Sequence, residues 1–562
     1  MAELSVSRKT IGKLLGDMQG RMFIIPDFQR PYKWDEEKCE TLWNDIENFA
    51  LTEAKAGAEY FLGTIVSYIN ARKNQEVIDG QQRLTSFFLL LRAFYKKLEG
   101  MPEDEDVIGL KNQVAPCIWD INPISQKVTD KTVIHIQSQV ATEEDNEVFH
   151  GILQSGETDD SRSDNYSINY RFFKKCCDNY ATEHPMQWKQ LCITILQQCI
   201  ILPIECDTPE TALTIFSTLN DRGMPLSDSD IFKAQLYRNF EHEEDRRNFT
   251  EDWKVLTQVC AGAFMDIDDV FRYYSHVIRA RNGDRSKEIG LRRFYAHDSY
   301  ARLKAPELME EVMSLADFWS AVNTGEDPDG DTPFTLSFNS RKYFHCLVNY
   351  PNEYWKYITS VFFLKNRGSN SFDDDLVEFL ANLVAFLFAK FIEKPSVNAI
   401  KDDIYSGNIA IQNNSEIVFR YAYVEENLSE WIVDYYRSKI ARALLLLHAY
   451  LNPEQTSLIP RFDIEHIFPK RWQDTNYNGW NIEDAWDYLD RFGNKVVLER
   501  KINIQAGNGY FGVKQARYIS SSIASVIDLA NYPKPDWLKE DIELREEQFV
   551  RDIMGFFREY LG

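Results

Sequence analysis

The sequence predicts a mostly helical, multidomain α+β protein with small strand-containing modules near both ends. Three observations carry this. A chain of 562 residues is too long for one hydrophobic core, so roughly two to four domains are expected. Residues 1 to about 98 alternate short apolar runs with helical patterns, whereas 240–450 is mostly long amphipathic helix. Beyond 452–460 (NPEQTSLIP) the order is strand, loop, strand, helix, that of a small β-β-α unit. The expected division is 1–240, 241–450 and 451–562.

The elements follow in order. Residues 36–49 read as a helix with Cys39, Leu42, Trp43, Ile46 and Phe49 on one face. Residues 61–69 (FLGTIVSYI) and 76–78 read as strands, and 84–98 as a buried helix, apolar on most sides. Polar stretches at 100–106 and 155–169 read as loops. Residues 191–204 look helix-like, then strand-like. Residues 211–237 read as helix, Gly-Pro turn and helix, the second capped by Ser227 or Asp228. Loops at 322–334 and 365–375 separate the later helices. The run 376–389 is broken by Glu378 and Asn382, too short and polar to span a membrane, and reads as a buried helix.

Composition narrows the class. Hydrophobic residues are 44% and aromatics 14%, enough to fill sizeable cores. The start, 1–13, is polar with no apolar run, so no signal peptide is expected. Nine scattered cysteines form no C-x-x-C pair. This predicts a reducing cytoplasm, no disulfide framework and no cysteine-based zinc site. A net charge of −24 argues against non-specific coating of DNA, because phosphate affinity comes from Lys and Arg. A local basic patch remains compatible with it.

Two N-terminal motifs carry chemistry. One is Ile25-Pro26-Asp27-Phe28-Gln29-Arg30-Pro31-Tyr32-Lys33-Trp34, and the other is Val77-Ile78-Asp79-Gly80-Gln81-Gln82-Arg83-Leu84-Thr85. The second reads as a strand ending in Asp-Gly and entering a helix. Such a junction offers free N–H groups and the positive end of a helix dipole. Gly80 permits close approach to the backbone, Arg83 is a forked donor suited to phosphate, and Asp79 can hold a metal ion or a ribose hydroxyl. The plain alternative is a capped turn, with Arg83 paired to a carboxylate. Phe28, Tyr32 and Trp34 read as core packing.

Near the C-terminus stands Asp463-Ile464-Glu465-His466-Ile467-Phe468-Pro469, followed by Asn494 and Asn503. His466 is the only histidine in the last 114 residues. An acidic residue beside a histidine, with two spaced asparagines, suits metal-assisted phosphodiester cleavage. The imidazole takes a proton from water while a carboxylate and an amide oxygen hold a hard divalent cation. Lys470, Arg471, Trp472, Arg491, Arg500 and Lys501 supply local positive and aromatic character suited to phosphate contact. In the middle region, Tyr273-Tyr274-Ser275-His276 and Arg292-Arg293-Phe294-Tyr295 can touch DNA, but ordinary helix packing is the favoured reading.

These motifs, with Ile215-Phe216, Leu219-Asn220, Arg222-Gly223, Pro225-Leu226, Asp230 and Lys233 as a third element, resemble the GmrSD-type restriction enzymes. The resemblance implies a ParB/sulfiredoxin-like α/β domain whose Asp79, Gly80, Gln81, Gln82 and Arg83 line an NTP site, with Arg30 and Asn220 as further members. It implies a helical scaffold and a C-terminal ββα-metal (His-Me finger, HNH-type) nuclease. There His466 is the general base, Glu465 and Asn503 ligate one Mg2+ or Mn2+, and Asn494 bonds across the finger. Lys514 and Tyr518 match trailing family positions that can contact phosphate, though an exposed surface role is favoured for them. Lys495 departs from the family's Gly-Asn-Leu and is expected to face solvent or DNA.

The implied function is an NTP-binding and NTP-hydrolysing (GTP, ATP or other) DNA endonuclease, cytoplasmic, acting in anti-phage defence on modified foreign DNA. A single finger makes one nick at a time, so a double-strand break needs two events or two active sites, as a homo-oligomer supplies. The rival readings are a nucleotide-responsive DNA-binding or regulatory protein with an inactive finger, and a nuclease toxin with a purely structural nucleotide domain.

Overall fold

The computed structural model describes residues 4–561 except 28, 55–56, 210, 213–214, 216–226, 241, 328–333, 416–418, 420–422, 436–437 and 473–479. The chain is mostly helical and divides into two compact units, Met1–Glu251 and Asp252–Gly562.

The first unit is built on a seven-stranded mixed sheet: β1 (Leu4–Val6), β2 (Lys9–Thr10), β3 (Phe23–Ile25), β4 (Tyr60–Ile69), β5 (Gln75–Asp79), β6 (Ile136–Ser138) and β7 (Cys199–Cys206). The order is β1-β7-β4-β5-β3-β6, with β2 also on β7. β4 runs parallel to β7 and antiparallel to β5, so β5 delivers its C-terminal Asp79 opposite Val66. The helix Glu36–Thr52 buries the five residues its spacing predicts, capped by Asp35, whose carboxylate accepts Lys38 N–H. The helix Gln81–Glu99 is buried along most of its length, as an apolar surface on all sides requires. The expected loop at 155–169 ends early, because Asp164 accepts the Ser167 N–H and caps the helix Asn165–Glu183. Ser227 caps the helix Asp228–Asn239; most of the preceding motif, including Asn220, lies outside the described residues.

In the second unit the helices Ile267–Arg281, Tyr354–Asn366 and Lys401–Gln412 pack together. Tyr273, Tyr274, Ser275, His276, Phe294 and Tyr295 are buried there, in line with the packing reading. The helix Phe372–Glu393 is buried at its centre, and among the described residues no helix is long and apolar enough to cross a membrane. The C-terminal β-β-α order is present: β8 (Phe462–His466), β9 (Lys495–Glu499) and the helix Arg500–Ala506, with the strands antiparallel and His466 opposite Lys495. The last helix, Lys539–Leu561, packs on the turn before β9 and on the helices Phe372–Glu393, Glu425–Asp434 and Ala441–Leu451. That helix joins the expected scaffold and the expected finger in one unit.

Candidate functional site

The first and second N-terminal motifs meet through side-chain amides. Gln29 Nε2 donates to Ile78 O (3.1 Å) and Gln29 Oε1 accepts from Gln81 Nε2 (3.2 Å). Gln82 Oε1 accepts the N–H groups of Lys33 (2.7 Å) and Trp34 (3.2 Å), while its Nε2 donates to Pro31 O (3.0 Å). Both Gln81 and Gln82 are thereby engaged in holding the 29–34 segment. Buried Tyr32 bonds Ser86 (2.7 Å), and the described aromatics of the motif pack on the core as expected. The third motif joins through Lys233, whose Nζ donates to Asp27 O (2.9 Å). Burial pushes the Lys233 ammonium down to about 8.

At the strand-helix junction, Asp79 Oδ1 accepts the Gly80 N–H (2.7 Å). Gly80 caps the Gln81–Glu99 helix at φ +90°, a conformation glycine adopts at no steric cost. A Cβ there would meet Ile65 Cγ1 at 2.8 Å. The glycine is thus demanded by its backbone angle and by β4, and the space a side chain would fill is already occupied. Burial raises the Asp79 carboxyl, opposed by the Gly80 N–H and by the charges of Arg83 and Arg30. Arg83 makes no ion pair within the described residues. Its Nη1 donates to Thr64 O (3.2 Å) and lies where a Cβ on Gly63 would sit (2.9 Å). Sequence reasoning missed Gly63, although a glycine inside a strand signals close approach by a neighbour.

In the C-terminal segment, Asn494 is fully buried and bonds across the loop that follows β8. Its Oδ1 accepts Phe468 N–H (2.7 Å), and its Nδ2 donates to Phe468 O (3.1 Å) and Leu489 O (2.9 Å). It fixes the loop after His466. His466 ends β8, 8% exposed, and its Nε2 lies 3.1 Å from Asp490 Oδ1. Nδ1 has no partner among the described residues. Burial lowers the imidazole pKa, and Lys470 and Lys495 add to this while Asp490 opposes it. The ring is therefore neutral near pH 7, as a general base requires.

Adjacent strand residues point to opposite faces. Glu465 turns inward, 5% exposed, and its Oε1 accepts from Lys514 Nζ (2.7 Å) and Tyr518 OH (2.9 Å). Lys514 also donates to His466 O (2.6 Å). Burial pushes the Glu465 carboxyl up and the Lys514 ammonium down, and their contact opposes both shifts. Lys514 and Tyr518 are thus buried partners of Glu465, against the expected exposed role. Lys495 also corrects an expectation. It is 6% exposed, with Nζ 3.2 Å from Asp490 Oδ1, and does not face solvent.

Asn503 is half-buried on the Arg500–Ala506 helix, which packs on both strands. Among the described residues no group of three His, Cys, Asp or Glu side chains is placed to hold a metal. Of the two expected ligands, Glu465 keeps Oε2 outside both bonds above, and the Asn503 amide oxygen has no partner among the described residues; both are oxygen donors of the kind a hard cation takes. Lys470, Arg471, Arg500 and Lys501 are exposed, whereas Arg491 lies near Glu546 (3.8 Å) and over the Tyr488 ring.

With this geometry in place, residues 11–237 match the GmrSD restriction endonuclease N-terminal domain and residues 421–552 its C-terminal domain. The chain belongs to the GmrSD restriction endonuclease family. A search of curated proteins finds no match. The GmrSD C-terminal match begins before the Glu425–Asp434 helix, so the family's domain includes helices assigned from sequence to the scaffold. Its two matched regions fall in different compact units, and membership makes this chain a restriction nuclease with DNA as substrate.

Proposed function

We propose that the chain is a two-activity restriction enzyme. Its first unit binds and hydrolyses an NTP (GTP, ATP or other) on a ParB/sulfiredoxin-like fold, and its C-terminal His-Me finger nicks modified foreign DNA in anti-phage defence. The observation that carries the nuclease half is the Nδ1 of a neutral His466, without a partner among the described residues, on a loop locked by Asn494. In the cleavage step a water proton moves to Nδ1 while the water oxygen forms the new bond to phosphorus. The ester P–O bond breaks, and the leaving oxygen takes up a proton from solvent. Glu465 and Asn503 would hold a Mg2+ or Mn2+ ion, which when bound supplies Lewis-acid polarisation of the phosphate. The nucleotide half rests on the junction of Asp79, Gly80 and Arg83 beside Arg30, with Gln81 and Gln82 positioning the 29–34 segment.

The test is Mg2+-dependent cleavage of supercoiled plasmid and of modified phage DNA, with and without NTP. His466→Ala abolishes cleavage and spares NTP turnover; Asp79→Ala or Arg83→Ala abolishes turnover. Full cleavage by His466→Ala overturns the finger assignment. NTP turnover with no cleavage of any substrate favours a regulatory protein.

A further inference from the structure

We propose that Asp490 is the positioning residue of the His466 base: its Oδ1 holds the imidazole in the Nε2–H tautomer and presents Nδ1 to the attacking water. This rests on the nuclease reading above.

Three elements build the arrangement. His466 closes β8, Lys495 opens β9 directly opposite it, and Asp490 lies between the helix Ile482–Tyr488 and the turn that precedes β9. The same carboxylate oxygen is 3.1 Å from His466 Nε2 and 3.2 Å from Lys495 Nζ. A neutral imidazole carries its proton on one nitrogen only, and the group facing the other decides which. A carboxylate accepts and cannot donate, so Nε2 carries the proton and Nδ1 keeps the lone pair. When Nδ1 takes the water proton, the imidazolium's Nε2–H still points at an anion, which favours the charge as it forms.

The segment carrying Asp490 is itself held. Arg545 Nη1 donates to the carbonyls of Phe492, Gly493 and Lys495 (3.2, 3.2 and 2.7 Å). Phe492 N–H donates to Glu546 (3.0 Å), and Tyr488 OH donates to Glu543 (2.5 Å). Asp490 is thus fixed from both sides by the last helix, and Lys495 holds its oxygen from the strand. Such support is what converts a nearby carboxylate into a defined orientation. Lys495 supplies the carboxylate with a second partner.

The full-length protein with 15N-labelled histidine reads the tautomer directly, with His466→Gln assigning the signal. The expected wild-type spectrum is a neutral His466 protonated at Nε2, and Asp490→Asn, which keeps the shape, shifts the population toward Nδ1–H. In single-turnover nicking, Asp490→Ala lowers the rate by about 10–100-fold, the usual scale for a group supporting a functional histidine, with KM for DNA nearly unchanged. A wild-type Nδ1–H tautomer overturns the proposal. So does an Asp490→Ala nicking rate equal to that of the wild type. The tautomer measurement needs no cleavage, so a failure of the nuclease reading would appear separately, as full activity of His466→Ala.

Discussion

Asn494 has three side-chain hydrogen bonds and no exposure, so its removal strands one backbone donor and two acceptors. Each unsatisfied buried group costs about 1–3 kcal/mol. Asn494→Ala should therefore destabilise the C-terminal unit by roughly 3 kcal/mol or more and lower nicking through misplacement of the His466 loop, both measurable by urea denaturation and plasmid assay. Lys233 gives a pH-dependent counterpart. Its folded pKa is about 8 against an ordinary 10.5. Below pH 8 it is charged in both states. Between those values the unfolded state binds more protons, so its contribution to stability rises with pH. Relative to Lys233→Met, the wild type should gain up to roughly 3 kcal/mol across that window; a flat difference contradicts the buried position. At this scale legibility was uneven. The place of His466 at a strand's end and the turn at Asp79–Gly80 were readable because each is defined by near neighbours in sequence, whereas the bonds of Asn494, to a residue 26 positions away, were expected from the resemblance. Asp490 was not readable, because its value lies in two contacts, one of them 24 residues away in sequence. Lys514 and Tyr518 were misread because residue polarity says nothing of a buried carboxylate waiting on a strand's inner face.

Among the elements, the turn before β9 depends on one small residue. A Cβ on Gly493 would lie 1.9 Å from Ile542 O, backbone against backbone, with no flexible side chain to yield. Gly493→Ala should therefore cost about 3 kcal/mol, the upper end of ordinary overpacking, and loosen the segment that carries Asp490 and Asn494. Gly555, in the same last helix, has open space where a Cβ would go. Gly555→Ala should stabilise by about 0.5–1 kcal/mol. Paired thermal melts of the two variants check both signs. The strands and most helices were legible because period and caps are local properties: β4, β5, Glu36–Thr52 and the β-β-α order all follow from them. The sheet order was not, since β7 reaches β4 across more than a hundred residues and only packing selects that partner.

At the scale of the molecule, a boundary near 450 was expected from composition, but the last helix returns to pack on Phe372–Glu393 and Ala441–Leu451. A long-range return of this kind leaves no local mark in a sequence. Two units with separate cores, divided near residue 251, should unfold in two calorimetric transitions, because cooperativity follows the packed core. A ligand that binds only one folded unit stabilises only that unit, by about 2.7 kcal/mol at a hundred times its Kd. If the first unit carries the nucleotide site, saturating NTP should raise one transition and leave the other in place, and Asp79→Ala should remove that shift. His466→Ala should leave the shift intact, because its imidazole belongs to the other core. A nucleotide shift of both transitions would show instead that binding is coupled across the units. The same scan repeated with Asp79→Ala would then show whether that coupling originates at the Asp79–Gly80 junction.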